Sequence, residues 1–155
     1  MSSKVHTVRE AIITSLATIT AGATYTYTLS ATDQVKVGIV PSFLGPVPIV
    51  RVLPKVQLVN RFGDANHHSI RTTATFEFVA VAAQTVATSD GGLDVAEALL
   101  EDIEVRAGVD YSLSGAVINW HVANATLWGG IVEGVGDGGV VEGEFVAEWT
   151  TRRLS

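Results

Sequence analysis

Apolar residues recur at helical spacing in two parts of the chain. Residues 7–19 carry one such stripe, and Thr7 and Glu10 have the spacing of a capping box at its start. A second helix is predicted over residues 93–106. We expect both helices to pack an apolar side against a core. The apolar positions are Val8, Ile12, Leu16 and Ile19 in the first helix, and Leu93, Ala96, Leu99, Leu100 and Ile103 in the second.

Alternation of apolar and polar residues predicts strands elsewhere. The clearest strand covers residues 70–83, where Phe76 and Phe78 mark the face expected to meet the core. Residues 47–53 have Pro48 near their start, so this strand is expected at an edge of the sheet. Further strands are predicted at residues 25–29, 35–37, 116–127 and 140–151, and residues 60–69 are predicted to form an exposed polar loop.

The order of these elements predicts an α+β fold, in which a mixed, mostly antiparallel β-sheet packs against two helices. The chain has 155 residues, close to the length of one typical domain. We see no internal repeat and no linker that would divide it. We therefore predict a single domain over residues 1–155.

Charge is unevenly distributed along the sequence. Residues 1–71 hold seven basic and three acidic side chains, whereas residues 72–151 hold thirteen acidic side chains and a single basic one, Arg106. Arg152 and Arg153 follow. Two interpretations stay open: the two halves neutralise each other within one copy, or a basic surface of one copy meets an acidic surface of the next in a head-to-tail ring.

The last predicted strand supplies an acidic row for such a contact. Glu142, Glu144 and Glu148 alternate with apolar residues, so they share the face turned away from the core. Like charges spaced in this way repel each other, and a basic partner surface would relieve the repulsion. The predicted subunit interface combines this row with arginines from the basic first half and from the last residues of the chain: Glu142, Glu144, Glu148, Arg51, Arg61, Arg71, Arg152 and Arg153.

Candidate catalytic chemistry is sparse. The sequence holds no cysteine and no G-x-S-x-G turn. Glycine-rich residues 134–139 match a dinucleotide-binding pattern, but the strand predicted after them favours a flexible β-turn. The adjacent His67 and His68 are poorly placed to share a metal ion. We expect no catalytic residue, cofactor or metal, although a small hydrolase using paired carboxylates and a ligand-binding domain with a pocket under residues 41–54 stay open.

Charge and hydropathy also bear on partners and location. The net charge of −6 argues against a nucleic-acid-binding surface. No apolar run approaches the roughly 20 residues of a membrane span, and the first residues lack the apolar core of a signal peptide. We therefore expect a protein that is made in the cytoplasm and does not attach to a membrane.

Taken in order, several segments resemble the tail-terminator proteins of long-tailed bacteriophages, which are also called minor tail or tail-completion proteins. The resemblance begins with the opening helix at residues 8–13 and ends with the closing strand at residues 143–149. Between them lie PVPIVRV at residues 46–52, TATFEFVAV at residues 73–81, the helix from Leu93 and the region of Trp128.

This resemblance implies a structural virion protein without catalytic turnover. Such a protein forms a ring, expected to be hexameric, at the head-proximal end of the tail tube, where it ends tube polymerisation and offers a surface for head joining. The implied partners are further copies of itself, the tail-tube protein and the head–tail connector protein. DNA would pass through an acidic lumen without specific binding. A stopper or other neck ring, and a tail-tube subunit, stay open as related roles.

Overall fold

Five strands and two helices follow each other in the computed structural model, which describes residues 3–38, 48–62, 69–84, 91–132 and 134–152. The helices are α1 (Lys4–Leu16) and α2 (Leu93–Val109). The strands are β1 (Val35–Val37), β2 (Ile49–Phe62), β3 (Ser69–Ala83), β4 (Asn119–Val132) and β5 (Gly136–Arg152). The predicted α+β fold is confirmed.

The strands form one sheet in the order β1-β2-β3-β5-β4. β1 pairs with β2 in parallel, and the three other pairs are antiparallel. β5 pairs with every residue of β3, so the long third strand does not project beyond the sheet. The register of β2 against β3 shifts between Val52 and Val56, on either side of Pro54. Because proline has no N–H to donate, a bulge at this point accommodates it within the strand.

One face of the sheet, the inner face, is buried against the helices, and we call the opposite face the outer face. Alternate residues of β3 from Thr72 to Ala82 are buried, as the alternation predicts. Phe78 and Phe145 stack with ring centroids 4.1 Å apart, and Trp120 packs edge-on against Phe145 at 5.6 Å. Trp120 Nε1 donates a hydrogen bond of 2.7 Å to Asp110 O, so its buried indole is satisfied.

Helix α1 differs from prediction at both ends, and helix α2 differs at its C-terminal end. Helix α1 begins at Lys4, and Ser3 rather than Thr7 is its N-cap, because the Ser3 side chain accepts a hydrogen bond of 3.1 Å from His6 N. The helix ends at Leu16, so the buried Ile19 packs from the following segment. Helix α2 begins at Leu93 as predicted, but continues past the predicted end at residue 106 to Val109.

Residues 25–29 do not form the predicted strand. Their backbone groups bond to side chains and to the chain just after α1 instead of to a neighbouring strand. Asp102 accepts hydrogen bonds from Thr26 N at 2.9 Å and Tyr27 N at 2.8 Å, and Leu29 N donates to Ile19 O at 2.8 Å. Asp102 is only 2% exposed, so this acid of α2 lies in the core, whereas Glu101 and Glu104 of the same helix are exposed.

Strand β1 has the predicted bounds, whereas the other four strands are longer than predicted. β2 runs to Phe62 and β3 begins at Ser69, so the predicted polar loop loses residues at both ends, and His67 and His68 lie outside the described residues. β2 also pairs on both sides at residues 50–52, so it is not an edge strand there. β4 begins at Asn119, three residues later than predicted, and Ile118 just before it is exposed.

Only part of the glycine-rich stretch 134–139 is a turn, and its other residues pack closely against α2 and β3. β5 begins at Gly136, and Gly139 is buried. A Cβ atom on Gly139 would lie 2.5 Å from Ala96 N, and one on Gly129 would lie 2.7 Å from Leu93 N. The missing side chains therefore allow the first turn of α2 to lie directly on the β4–β5 hairpin. The predicted turn is therefore present only at residues 134 and 135, and residues 136–139 belong to β5 instead.

Candidate subunit interface

The residues predicted to form the interface lie mainly on the outer face of the sheet. Strand register places the three glutamates of the acidic row there, while their neighbours in β5 face the core. Arg51 and Arg61 of β2 and Arg71 of β3 lie on the same face. Arg152 is the last residue of β5, and Arg153 lies outside the described residues. The structure thus brings both charges onto one face of a single copy.

Part of this charge is paired within the copy. Arg71 Nε donates to Glu148 Oε1 at 2.7 Å, and Lys55 Nζ lies 3.4 Å from Glu77 Oε1. These pairs link the basic first half of the chain to the acidic second half. Because the side chains are largely solvated, each pair stabilises the fold by only about 0–1 kcal/mol. Internal neutralisation therefore occurs in part, and the interface assignment stays a prediction.

Arg51 is also held by its own copy. Its NH1 donates hydrogen bonds of 3.0 Å to Gln34 O and 3.1 Å to Val50 O. Partial burial lowers the pKa of Arg51, and the nearby Asp33 acts in the opposite direction. Arg51 thus fastens β2 to the turn before β1, which leaves Arg61 as the more exposed arginine of that strand.

The outer face carries a shallow acidic groove of about 350 Å³. Glu77 and Glu144 are direct cross-strand neighbours in it, and Glu142 lies beside them. Asn124 Nδ2 donates to Glu144 Oε2 at 3.0 Å, which relieves part of the repulsion between the two carboxylates. Over the described residues, no group of three or more acidic or histidine side chains is arranged to hold a metal ion.

The sheet has two open edges within the described residues. β4 hydrogen-bonds to β5 on one side, and its other side pairs with no described strand. β1 covers β2 only at residues 50–52, so residues 56–62 are paired with β3 alone among the strands described. Backbone N–H and C=O groups along such edges are ready to pair with another chain.

Exposed apolar side chains accompany both edges, and the sequence pattern did not lead us to expect them. On β2, Leu58 and Val59 are 43% and 49% exposed. On and beside β4, Ile118 is 43%, Trp128 40% and Ile131 84% exposed. The adjacent pair Leu58-Val59 breaks the alternation of β2, which is the sequence signal that could have revealed this edge. Apolar groups on open strand edges mark surfaces that other chains can cover.

Helix α2 forms an acidic flank beside β4. A groove of about 330 Å³ runs between them, with Leu100, Val105 and Leu127 in its lining. The lining also includes Glu97, Glu101 and Glu104, all three of them exposed. A second groove of about 220 Å³ continues towards the start of β4, beside Tyr111, His121 and Val122. This flank combines apolar contact area with negative charge.

The charge asymmetry of the sequence becomes a charge asymmetry across the molecule. Elements α1, β1 and β2 lie on one side of β3 and carry six basic residues against one acidic residue. Elements α2, β5 and β4 lie on the other side and carry nine acidic residues against two basic ones. One lateral side of the subunit is therefore basic and the opposite side acidic, which is the arrangement that favours head-to-tail contact.

A partly buried polar cluster joins the two helices away from these edges. Ser15 Oγ donates to Asp110 Oδ2 at 2.7 Å, and Arg106 Nε donates to Ser15 Oγ at 3.0 Å. Ser15 is buried, and Arg106 also lies 3.4 Å from Asp110 Oδ2. The cluster fixes the end of α2 against α1, and we assign it this structural role.

No family model matches the sequence, and a search of curated proteins gives no match. Among the described residues, neither helix has the length and apolar character needed to cross a membrane.

Proposed function

We propose that this protein is a structural subunit of a bacteriophage virion, which forms a ring at the head-proximal end of the tail tube. The ring would end tube polymerisation and offer a surface to the head–tail connector. This role needs complementary surfaces and no catalytic turnover.

The observation that carries the proposal is the lateral asymmetry of the sheet. A subunit with one basic and one acidic side, each ending in a strand edge that is open among the described strands, can join a second copy in the same orientation. Repetition of one such contact gives a ring when the rotation closes and a filament when it does not. A two-fold dimer would instead place like charges against each other.

The resemblance in element order supports the phage assignment. The structure contains the elements on which that resemblance is based, in the same order along the chain: an opening helix, long paired strands, a second helix and an acidic closing strand. The outer face is acidic around Glu77, Glu142 and Glu144. If this face lined the ring, it would repel DNA and allow it to pass without binding.

The first test is the assembly state of the purified protein. Sedimentation and native mass spectrometry over a range of concentrations should show a closed ring of fixed stoichiometry, and added salt should weaken it by screening the lateral contact. Electron microscopy with purified tail tubes should show rings at one end of each tube.

Two outcomes would contradict this proposal in different ways. Open-ended tubes formed by the protein alone would indicate a tail-tube subunit. A protein that stays monomeric at high concentration and does not bind tubes would exclude a ring of any kind. That result would favour the ligand-binding or hydrolase alternative.

A further inference from the structure

We propose that neighbouring copies join by strand addition, in which residues 56–62 of β2 pair with the beginning of β4 in the next copy. This inference rests on the proposed ring and identifies the contact that would close it. The occupant of each open edge is therefore a second copy of this chain.

Strand direction fits this contact. β2 and β5 run in one direction, and β3 and β4 run in the other. When two copies stand side by side in the same orientation, β4 of one copy is antiparallel to β2 of the next. The ladder between copies then has the same antiparallel pattern as the ladders within each copy.

The two stretches also lie at the same level of the sheet. Following the register across β3 and β5 leads from Gln57 to His121 and from Val59 to Asn119. Copies in a ring are related by rotation without axial rise. When the strands run nearly parallel to the ring axis, residues at one level of the sheet in one copy therefore lie at the same level in the next copy. Residues 57–59 of one copy therefore meet residues 119–121 of its neighbour.

Irregularities limit the length of each free edge. β1 and the bulge around Pro54 leave β2 free only from Val56 onward, within the described residues. The register of β4 shifts between Ala123 and Thr126, and Asn124 there has a positive φ of 53°. Such a bulge ends regular pairing along an edge. The usable edges thus have similar lengths and lie opposite each other.

Side chains support the same pairing. Leu58 points to the inner face but is 43% exposed, because the edge of its own copy does not cover it. In the contact it lies over the groove of about 220 Å³ beside Tyr111 and Val122 of the neighbour. The basic side of one copy then adjoins the acidic α2 flank of the next, where Glu104 borders this groove.

The absence of cysteine makes disulfide crosslinking a direct test. A double variant, Val59→Cys with Asn119→Cys, places one thiol on each edge at the same level and on the same face. Opposed residues of antiparallel strands have Cα atoms about 4.5–5.5 Å apart, which suits a disulfide. Mild oxidation should give a ladder of covalent multimers that ends at the size of the ring.

Controls separate this contact from others. Each single variant should remain uncrosslinked, because a head-to-tail contact never brings one position against itself. Val59→Cys with Ile131→Cys should also remain uncrosslinked, because Ile131 is highly exposed but lies beyond the β4 bulge. Pairing Val59→Cys with His121→Cys or Ala123→Cys covers a register shifted by two or four residues along β4.

The outcomes distinguish this inference from the proposed function. A ring in native mass spectrometry without crosslinks at residues 119, 121 or 123 would overturn strand addition and leave the ring intact. Covalent dimers of the single Val59→Cys variant would indicate a two-fold contact and overturn the inference as well. A protein that never assembles, alone or on tubes, would remove both proposals.

Discussion

Asp102 shows how one buried side chain can decide the path of a segment. It lies on α2 among acidic residues that face solvent, yet it is buried and accepts the backbone N–H groups of Thr26 and Tyr27. A buried carboxylate needs such donors because it has lost its hydration. Asp102 therefore replaces the neighbouring strand that residues 25–29 would otherwise require.

We predict that Asp102→Asn lowers the free energy of unfolding by about 2–3 kcal/mol. The amide has a single acceptor oxygen, and its NH2 group would face the backbone N–H groups that the carboxylate now accepts. Urea denaturation measures the change. Glu101→Gln is the matched control, since Glu101 is the neighbouring acid on the same helix but exposed, and it should change stability by less than about 0.5 kcal/mol. Equal effects of the two substitutions would contradict the role of Asp102.

Tyr27 gives the structure a sensitivity to alkaline pH. Burial raises the pKa of Tyr27 above its ordinary value, with further contributions from Asp102 and Asp94. The folded state thus favours the neutral phenol. This contribution to stability is complete below the unfolded pKa of about 10 and is lost as pH rises through the raised folded pKa.

We therefore predict that Tyr27→Phe reduces the loss of stability at high pH. The fall in the urea midpoint between pH 8 and pH 11 should be smaller for the variant than for the parent protein. Tyr25 and Tyr111 are present in both proteins and provide the common background. The same fall in both proteins would show that Tyr27 is not the group responsible.

At the level of elements, the contact between α2 and the β4–β5 hairpin depends on glycine. Gly139 lies beneath Ala96 and Gly129 beneath Leu93, with no space for a Cβ atom between backbone segments. A clash between two backbones cannot be relieved by rotating a side chain. The first turn of the helix and the hairpin must therefore separate if either glycine is replaced.

We predict that Gly139→Ala destabilises the protein by about 2–3 kcal/mol, by analogy with overpacked cores. Gly108→Ala provides the contrast, because Gly108 is an exposed residue of α2 and a methyl group there would meet no atom within 4 Å. It should stabilise the protein by about 0.5–1 kcal/mol. Thermal and urea unfolding test both; a Gly139→Ala variant as stable as the parent would refute the close contact.

Periodicity alone predicts most elements, because one face of each packs on the core. It places Phe76 and Phe78 inside correctly, and it places the helix beginning at Leu93. Periodicity gives a wrong prediction where the hydrogen-bond partners of a segment come from residues far away in the chain. Nothing in residues 25–29 reveals that Asp102 will accept their N–H groups, and the alternation there therefore resembles a strand.

The candidate interface is less predictable than the fold. The sequence places the acidic row on the solvated face, since alternation determines side-chain direction. It does not predict that Glu148 pairs with Arg71 of the same copy, or that residues 56–62 have β3 as their one neighbour among the described strands, because both depend on strand order. Strand order is set by contacts between residues far apart in the chain.

At the level of the whole molecule, lateral asymmetry follows from topology. The basic first half forms one side of the sheet and the acidic second half forms the other, with β3 between them. A fold that interleaved the two halves would have mixed their charges across the sheet. In this fold, the uneven distribution of charge along the sequence therefore gives the subunit one basic side and one acidic side.

We predict that the α2 flank contributes more to assembly than the acidic row. Replacing Glu97, Glu101 and Glu104 by Gln should weaken the ring about tenfold, since three charges worth a few tenths of a kcal/mol each approach about 1.4 kcal/mol. The matched triple replacement at Glu142, Glu144 and Glu148 should have a smaller effect, because two of these have partners within the copy. Sedimentation measures both, and the reverse ranking would favour the acidic row as the contact.

The position of β5 has a consequence for the order of events in the cell. β5 follows β4 in the chain but lies between β4 and β3 in the sheet. During synthesis, β4 leaves the ribosome before the strand that joins it to the rest of the sheet. An isolated strand or hairpin is marginal in water, so the β4 edge cannot be offered to a neighbour until β5 has been made and inserted. In the proposed ring, an unfinished chain would therefore lack one of the two edges that join neighbouring copies and could not extend the assembly.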